Sequence, residues 1–165
     1  MQKITTFLWF DDQAEEAANF YVSVFSGKPG ATPGSSKITE VSRYGEAGPR
    51  EAGTVMTVSF QLEGQEFMAL NGGPEFPFTA AVSLFVGCDS QEEVDDLWAK
   101  LTDGGEEIAC GWLKDRYGLS WQVTPTALLE LTSDPDPAKS QAVMKAMLGM
   151  VKIDIDELRR AYEAA

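Results

Sequence analysis

Any chemistry in this chain has to be done without imidazole, because its 165 residues include no histidine. Ser-His-Asp and Cys-His nucleophilic pairs are therefore excluded. Cys88 and Cys110 are the only thiols. They are too few and too irregularly spaced for a disulfide framework, and each reads as a small buried apolar residue. Two acidic doublets, Glu15-Glu16 and Glu92-Glu93, could do acid–base work. Both fall in the first turn of a helical pattern, where the macrodipole favours carboxylates, and the structural role is the better reading. One neutral side chain stands out. In Leu119-Ser120-Trp121-Gln122-Val123 the Gln122 amide points opposite to Leu119, Trp121 and Val123. An amide in the middle of an apolar strand either orients a ligand or satisfies buried backbone groups.

The element that positions Gln122 is a β-hairpin, "CGWLKDRYGLSWQVTP", residues 110 to 125. Gly118 supplies the positive φ the turn needs, and Pro125 ends the second strand. Upstream, "ITTFLWF" is a strand rich in β-branched and aromatic residues. "DDQAEEAANFYVSVF" then changes period, with Ala14, Ala17, Ala18, Tyr21, Val24 and Phe25 on one helical stripe. Asp12 and Glu15 have the spacing of a capping box. After a Gly/Pro/Ser loop at 27 to 36 come three strands, "KITEVSRY", "GTVMTVSFQLEG" and "QEFMALNG", the last two joined at Gly64.

The order β-α-β-β-β then recurs. "AAVSLFVG" is a strand, and "DSQEEVDDLWAKL" is a helix with Val94, Leu97, Trp98 and Leu101 on one face. A shift of 77 positions lays Asp12-x-x-Glu15-Glu16 on Asp89-x-x-Glu92-Glu93 and Phe20-Tyr21 on Leu97-Trp98. "DGGEE" ends this helix by glycine capping. Strands follow around 107 to 113 and 119 to 124, so one strand of the second module is short or poorly marked. Gly64 and Gly118 occupy matching turns. The chain is thus one domain of two internal modules, about 3–71 and 79–125, with a helical tail at 126–165. In the tail, "TALLEL", a segment opened by Pro137 and one opened by an Asp154-x-x-Glu157 box are helices. Val143, Met144, Met147 and Leu148 form an apolar stripe for packing.

A βαβββ module present twice resembles the glyoxalase/bleomycin-resistance/dioxygenase superfamily, the vicinal-oxygen-chelate fold. Within it the chain is similar to the PhnB-like group that carries the name 3-demethylubiquinone-9 3-methyltransferase. The residues that carry the resemblance are "FDDQAEEAANFYVSVF", "ALNGGPEFPF", "QEEVDDLWAKL", "CGWLKDRYGLSWQVTP" and "SDPDPAKSQAVMKAML". The resemblance implies an α+β fold whose two modules curl their sheets into a cup, with C-terminal helices and a ligand site inside. In metal-using members each module offers one ligand from its first strand and one from its last. Carried onto this chain, the last-strand places are Met68 and Gln122, and the first-strand places fall near Thr6 and Ser83. Gln122 and Ser83, then Thr6, Asn71 and Trp112, are the candidate ligand-binding residues. Trp9, alternating with Phe10, is expected to face the helices, and Asn71 could equally serve its turn.

A net charge of −13 argues against nucleic acid and anionic membrane surfaces as partners. No apolar run is long enough to span a bilayer, and the amino terminus lacks a signal-peptide layout, so a cytoplasmic location is expected. The resemblance implies a homodimer. No glycine loop follows the first strand, as the common adenosylmethionine or dinucleotide fold would require. The expectation is a small-molecule-binding protein without cofactor. Its alternatives are an enzyme, whether a methyltransferase or a lyase, isomerase or dioxygenase, and a drug-sequestering resistance protein. A thioether, an amide and two hydroxyls are poor ligands for Zn²⁺, Fe²⁺ or Mn²⁺. Elemental analysis of protein purified without chelator should therefore find far less than one equivalent of transition metal; a stoichiometric signal would overturn the assignment.

Overall fold

The computed structural model describes residues 2–165. The chain divides into two compact units, one running through Phe78 and the other Thr79–Ala165.

The first unit contains β1 (Thr6–Phe10), α1 (Ala14–Ser26), β2 (Lys37–Arg43), β3 (Val55–Leu62) and β4 (Gln65–Asn71). Its sheet has the order β1-β4-β3-β2, with β1 parallel to β4 and the other pairs antiparallel. The expected stripe of α1 is the one that is buried, Ala14 through Phe25. Tyr21 stacks on Phe60 at 6.3 Å, and Phe60 on Phe67 at 5.4 Å. The helix therefore covers the face carrying Leu8, Val58, Phe60, Phe67 and Ala69, all buried.

The expected Asp12–Glu15 capping box does not form. The N-cap is Gln13, with no side-chain cap bond. Instead Asn71 Oδ1 accepts the Ala14 N–H at 2.8 Å. An orphan donor of the first turn is thus satisfied from the end of β4 rather than from its own helix. Glu63 and Gly64 both have positive φ, 51° and 83°, which makes the β3–β4 connection a two-residue type I′ turn.

The second unit contains β5 (Ser83–Cys88), α2 (Gln91–Thr102), β6 (Glu106–Glu107), β7 (Trp112–Lys114) and β8 (Ser120–Pro125), in the order β5-β8-β7-β6. The topology of the first unit is repeated, as the sequence repeat requires. Ser90 is the N-cap of α2. Ser90 Oγ accepts the Glu93 N–H, and Glu93 Oε2 accepts the Asp89 N–H, each at 3.2 Å. The poorly marked strand is β6, only two residues long. Cys110 and Gly111 have φ of 62° and 82°, and Trp112 N–H closes onto the Ala109 carbonyl at 3.2 Å. This tight turn cuts the 107–113 run in two.

At the β7–β8 hairpin, Gly118 N–H donates to Asp115 O (2.9 Å) and Asp115 N–H to Leu119 O (2.8 Å). With Gly118 at φ 89°, this is a three-residue loop closed by a glycine bulge. The Asp115 carboxylate, 2% exposed, organises it. Oδ1 accepts the N–H of Tyr117 and of Leu119, and Oδ2 accepts the Trp121 indole N–H at 2.8 Å.

The tail forms α3 (Thr126–Thr132), α4 (Pro137–Leu148) and α5 (Ile155–Glu163). Asp136 and Asp154 cap α4 and α5 through Ala138 N–H and Glu157 N–H. Leu128, Val143, Met150, Ile153 and Leu158 make its core, with Met147 packed against them. The expected stripe is only half right. Met144 and Leu148 are exposed, because the side of α4 that meets α3 and α5 carries Val143, Ala146 and Met147 instead.

Asp115→Ala would strand three N–H donors. Unpaired buried donors cost about 1–3 kcal/mol each, so a net loss of about 3 kcal/mol is expected. In a chain of this size that lowers Tm by about 6–12 °C, measured by thermal denaturation. A Tm unchanged within about 2 °C would show that the carboxylate does not hold the hairpin.

Candidate functional site

Gln122 sits at the middle of β8, with a strand on either side. Phe85 of β5 pairs with it in parallel register and Trp112 of β7 in antiparallel register. Paired residues share a sheet face, so Phe85, Gln122 and Trp112 form a row across three strands. Ser83, two residues before Phe85, lies on the same face. Gln122 Nε2 donates to Ser83 Oγ at 2.9 Å. Ser120 pairs with Ser83; it is wholly buried, and its Oγ has no hydrogen-bond partner among the described residues. Phe85 is 51% exposed, while Ser83, Trp112 and Gln122 are half-buried. Leu113, Trp121 and Val123 occupy the opposite face, and Trp98 of α2 reaches Glu107 on that side at 2.7 Å. The sequence candidates Gln122, Ser83 and Trp112 are therefore brought together.

Thr6 is not on the corresponding face of the first sheet. It pairs with Phe67, which places it on the face α1 covers. The cause is a one-residue offset. The helices repeat at 77 positions, but Phe7–Met68 of the first sheet matches Phe85–Gln122 of the second, a shift of 78 for the first strands. The place corresponding to Ser83 is Thr5. The same parity turns Trp9 away from α1, against expectation. Its indole N–H donates to Gly73 O at 2.8 Å, and its ring meets Phe76 edge-on at 4.9 Å. Gly72 is needed here, since a Cβ would stand 2.3 Å from the Trp9 ring. Asn71 serves the frame: besides capping α1 it donates to Val55 O, and its own carbonyl accepts the Tyr44 hydroxyl at 2.6 Å.

Residues that would hold a divalent metal do not assemble. Met68 has Phe7 and Ser59 beside it, and Gln122 has Phe85, Trp112 and Ser83. None of these supplies the imidazole, thiolate or carboxylate such ions favour. Among the described residues no cluster of three His, Cys, Asp or Glu side chains could hold a metal. The donor set does not fit a vicinal-chelate ion. Nor does the chain fit adenosylmethionine in the usual way. β1 passes into α1 through Asp11, Asp12 and Gln13 with no glycine loop, and neither sheet is doubly wound.

Sequence reasoning missed a polar cleft of about 620 Å³ in the first unit, lined by Asp12, Glu15, Glu16, Arg50, Glu51 and Asn71 among others. The acidic doublet of α1 opens onto it. The basic residues lie in the 43–50 stretch, whose Arg-Tyr-Gly and Pro-Arg steps carry no periodic signal.

A family model described as 3-demethylubiquinone-9 3-methyltransferase matches residues 2–124. A PhnB protein from Bacillus cereus is 43% identical, over 75% of this chain and 99% of that one, with a TM-score of 0.65. A protein from Pseudomonas aeruginosa is 20% identical over 76% of this chain and 98% of its own, with a TM-score of 0.59. A glyoxylase/bleomycin resistance protein/dioxygenase domain from Frankia sp. is 12% identical over 73% and 89%, with a TM-score of 0.43. A search of curated proteins finds no match.

Gln122→Met removes the amide, keeps most of its volume and reproduces the residue at the matching place, Met68. If the amide orients a ligand, Tm should stay within a few degrees while affinity for any ligand found falls roughly five- to a hundred-fold. Measured on one preparation, a large loss of Tm with unchanged affinity would remove Gln122 from the site.

Proposed function

The chain belongs to the 3-demethylubiquinone-9 3-methyltransferase family, and we propose that this member binds a small molecule on the Gln122-bearing face of the β5-β8-β7-β6 sheet, without a conventional metal centre. One observation carries the reading. Gln122, its amide fixed by a hydrogen bond to Ser83, lies in register between Phe85 and Trp112. A few placed polar groups among aromatics are the usual make-up of a small-molecule site.

Two alternatives have less behind them. Methyl transfer would need a nucleotide-type pocket, for which the β1–α1 connection offers no glycine. Sequestration of a cationic drug suits a net charge of −13, but the row beside Gln122 holds no carboxylate that would pair with one. The reading includes a homodimer, for which light scattering would return about twice the 18.0 kDa chain mass. No helix among the described residues is long and apolar enough to cross a membrane.

The test against methyl transfer is calorimetric. Adenosylmethionine titrated into the protein should give no saturable heat at micromolar concentrations. A micromolar dissociation constant would replace the binding-protein reading with the family's named activity.

A further inference from the structure

The unused hydrogen-bonding groups on the Gln122 face specify what kind of molecule would rest there. Three of the four tryptophans have a partner for their indole N–H. Trp9 donates to Gly73 O, Trp98 to Glu107 and Trp121 to Asp115. Trp112 has none among the described residues, although a Trp N–H in a packed setting usually finds one. Gln122 gives an N–H to Ser83, which fixes its amide, while Oε1 has no partner among the described residues. Ser83 Oγ accepts that bond and keeps its own hydrogen to donate. The floor of the row thus presents an acceptor and a donor side by side.

The walls are aromatic. Phe85 and Trp112 stand two strands apart, about 10 Å between backbones. Gln122 stands between them on β8, so a ring resting on its amide would meet Phe85 on one side and Trp112 on the other. Charge is absent from the row itself. The nearest charged pair on the same face, Glu106 and Lys114, are opposite each other on β6 and β7 and offset one another.

We propose that this site takes an uncharged, planar aromatic molecule whose edge carries a donor and an acceptor side by side, such as a lactam fused to an aromatic ring. The lactam N–H would donate to Gln122 Oε1, and its carbonyl would accept from Ser83 Oγ. Phe85 and Trp112 would pack against the ring. A cation would leave the amide floor with no counter-charge, and an anion would meet Gln122 Oε1, so both are disfavoured. The inference rests on the small-molecule reading given above and narrows it to one ligand class.

The experiment is a two-dimensional NMR titration of the ¹⁵N-labelled protein. The Gln122 side-chain amide and the Trp112 indole serve as reporters, assigned with Gln122→Met and Trp112→Leu. The probes are 2-quinolone, its N-methyl derivative, the 1-methylquinolinium cation and benzoate. 2-Quinolone should shift both reporters saturably and bind at least five-fold more tightly than N-methyl-2-quinolone. Gln122→Met should erase that difference, and Trp112→Leu should weaken both neutral probes together. If the cation or benzoate moves the reporters more strongly than 2-quinolone does, this inference is overturned while small-molecule binding at the face stands. If none of the four moves either reporter up to millimolar concentration, the face is not a ligand site and both readings fall.

Discussion

Asp115 gathers the N–H groups of Tyr117, Leu119 and Trp121 onto one buried carboxylate, and the pairing of β7 with β8 is set there. Burying a carboxylate is costly unless its lone pairs are satisfied, and charge-assisted bonds to N–H donors are about twice as strong as neutral ones. The loop Arg116-Tyr117-Gly118 therefore has one favourable closure. Because side chains alternate along a strand, a slip of one residue would turn Gln122 under α2 and expose Trp121 and Val123. The arrangement of polar and aromatic groups on the Gln122-bearing face thus depends on a group that faces the other way.

The two units reach the same topology by different local means. The second locks its hairpin with Asp115. The first uses a two-residue turn in which Glu63, at φ 51°, pairs with the buried Lys28 at 2.8 Å. The first also draws Asn71 into its frame, whose side chain caps α1 and whose carbonyl holds Tyr44. Duplication preserved the apolar periodicity and the strand order. The polar fastenings diverged.

The elements most legible in the sequence were those with strong period. The stripe of α1, the hairpin at 110–125 and the βαβββ repeat all appear in the structure, because burial of an amphipathic face decides them. Gln122, Ser83 and Trp112 could be grouped because strand alternation and the hairpin's pairing link them. What was not legible turned on single-residue offsets or on distant partners. Nothing local reveals that the first strands repeat at 78 while the helices repeat at 77, and that one step put Thr6 on the wrong face and Trp9 on the wrong side. The cap of α1 comes from Asn71, 57 residues away, whereas Asp12 and Glu15 merely had the right spacing. Nothing local marks Asp115 either, because its role depends on where Trp121 returns.

The unequal settings of the tryptophans give the molecule an optical property. The indoles of Trp98 and Trp121 are buried and each donates to a carboxylate, and Trp9 lies on the Gly72 backbone with its N–H on a carbonyl. Only Trp112 combines partial exposure with an unengaged N–H. Its N–H is the indole donor left for water or a ligand to engage. A change confined to the Gln122-bearing face of the second sheet is therefore reported by a native fluorophore standing on it, while the other three indoles hold a constant background.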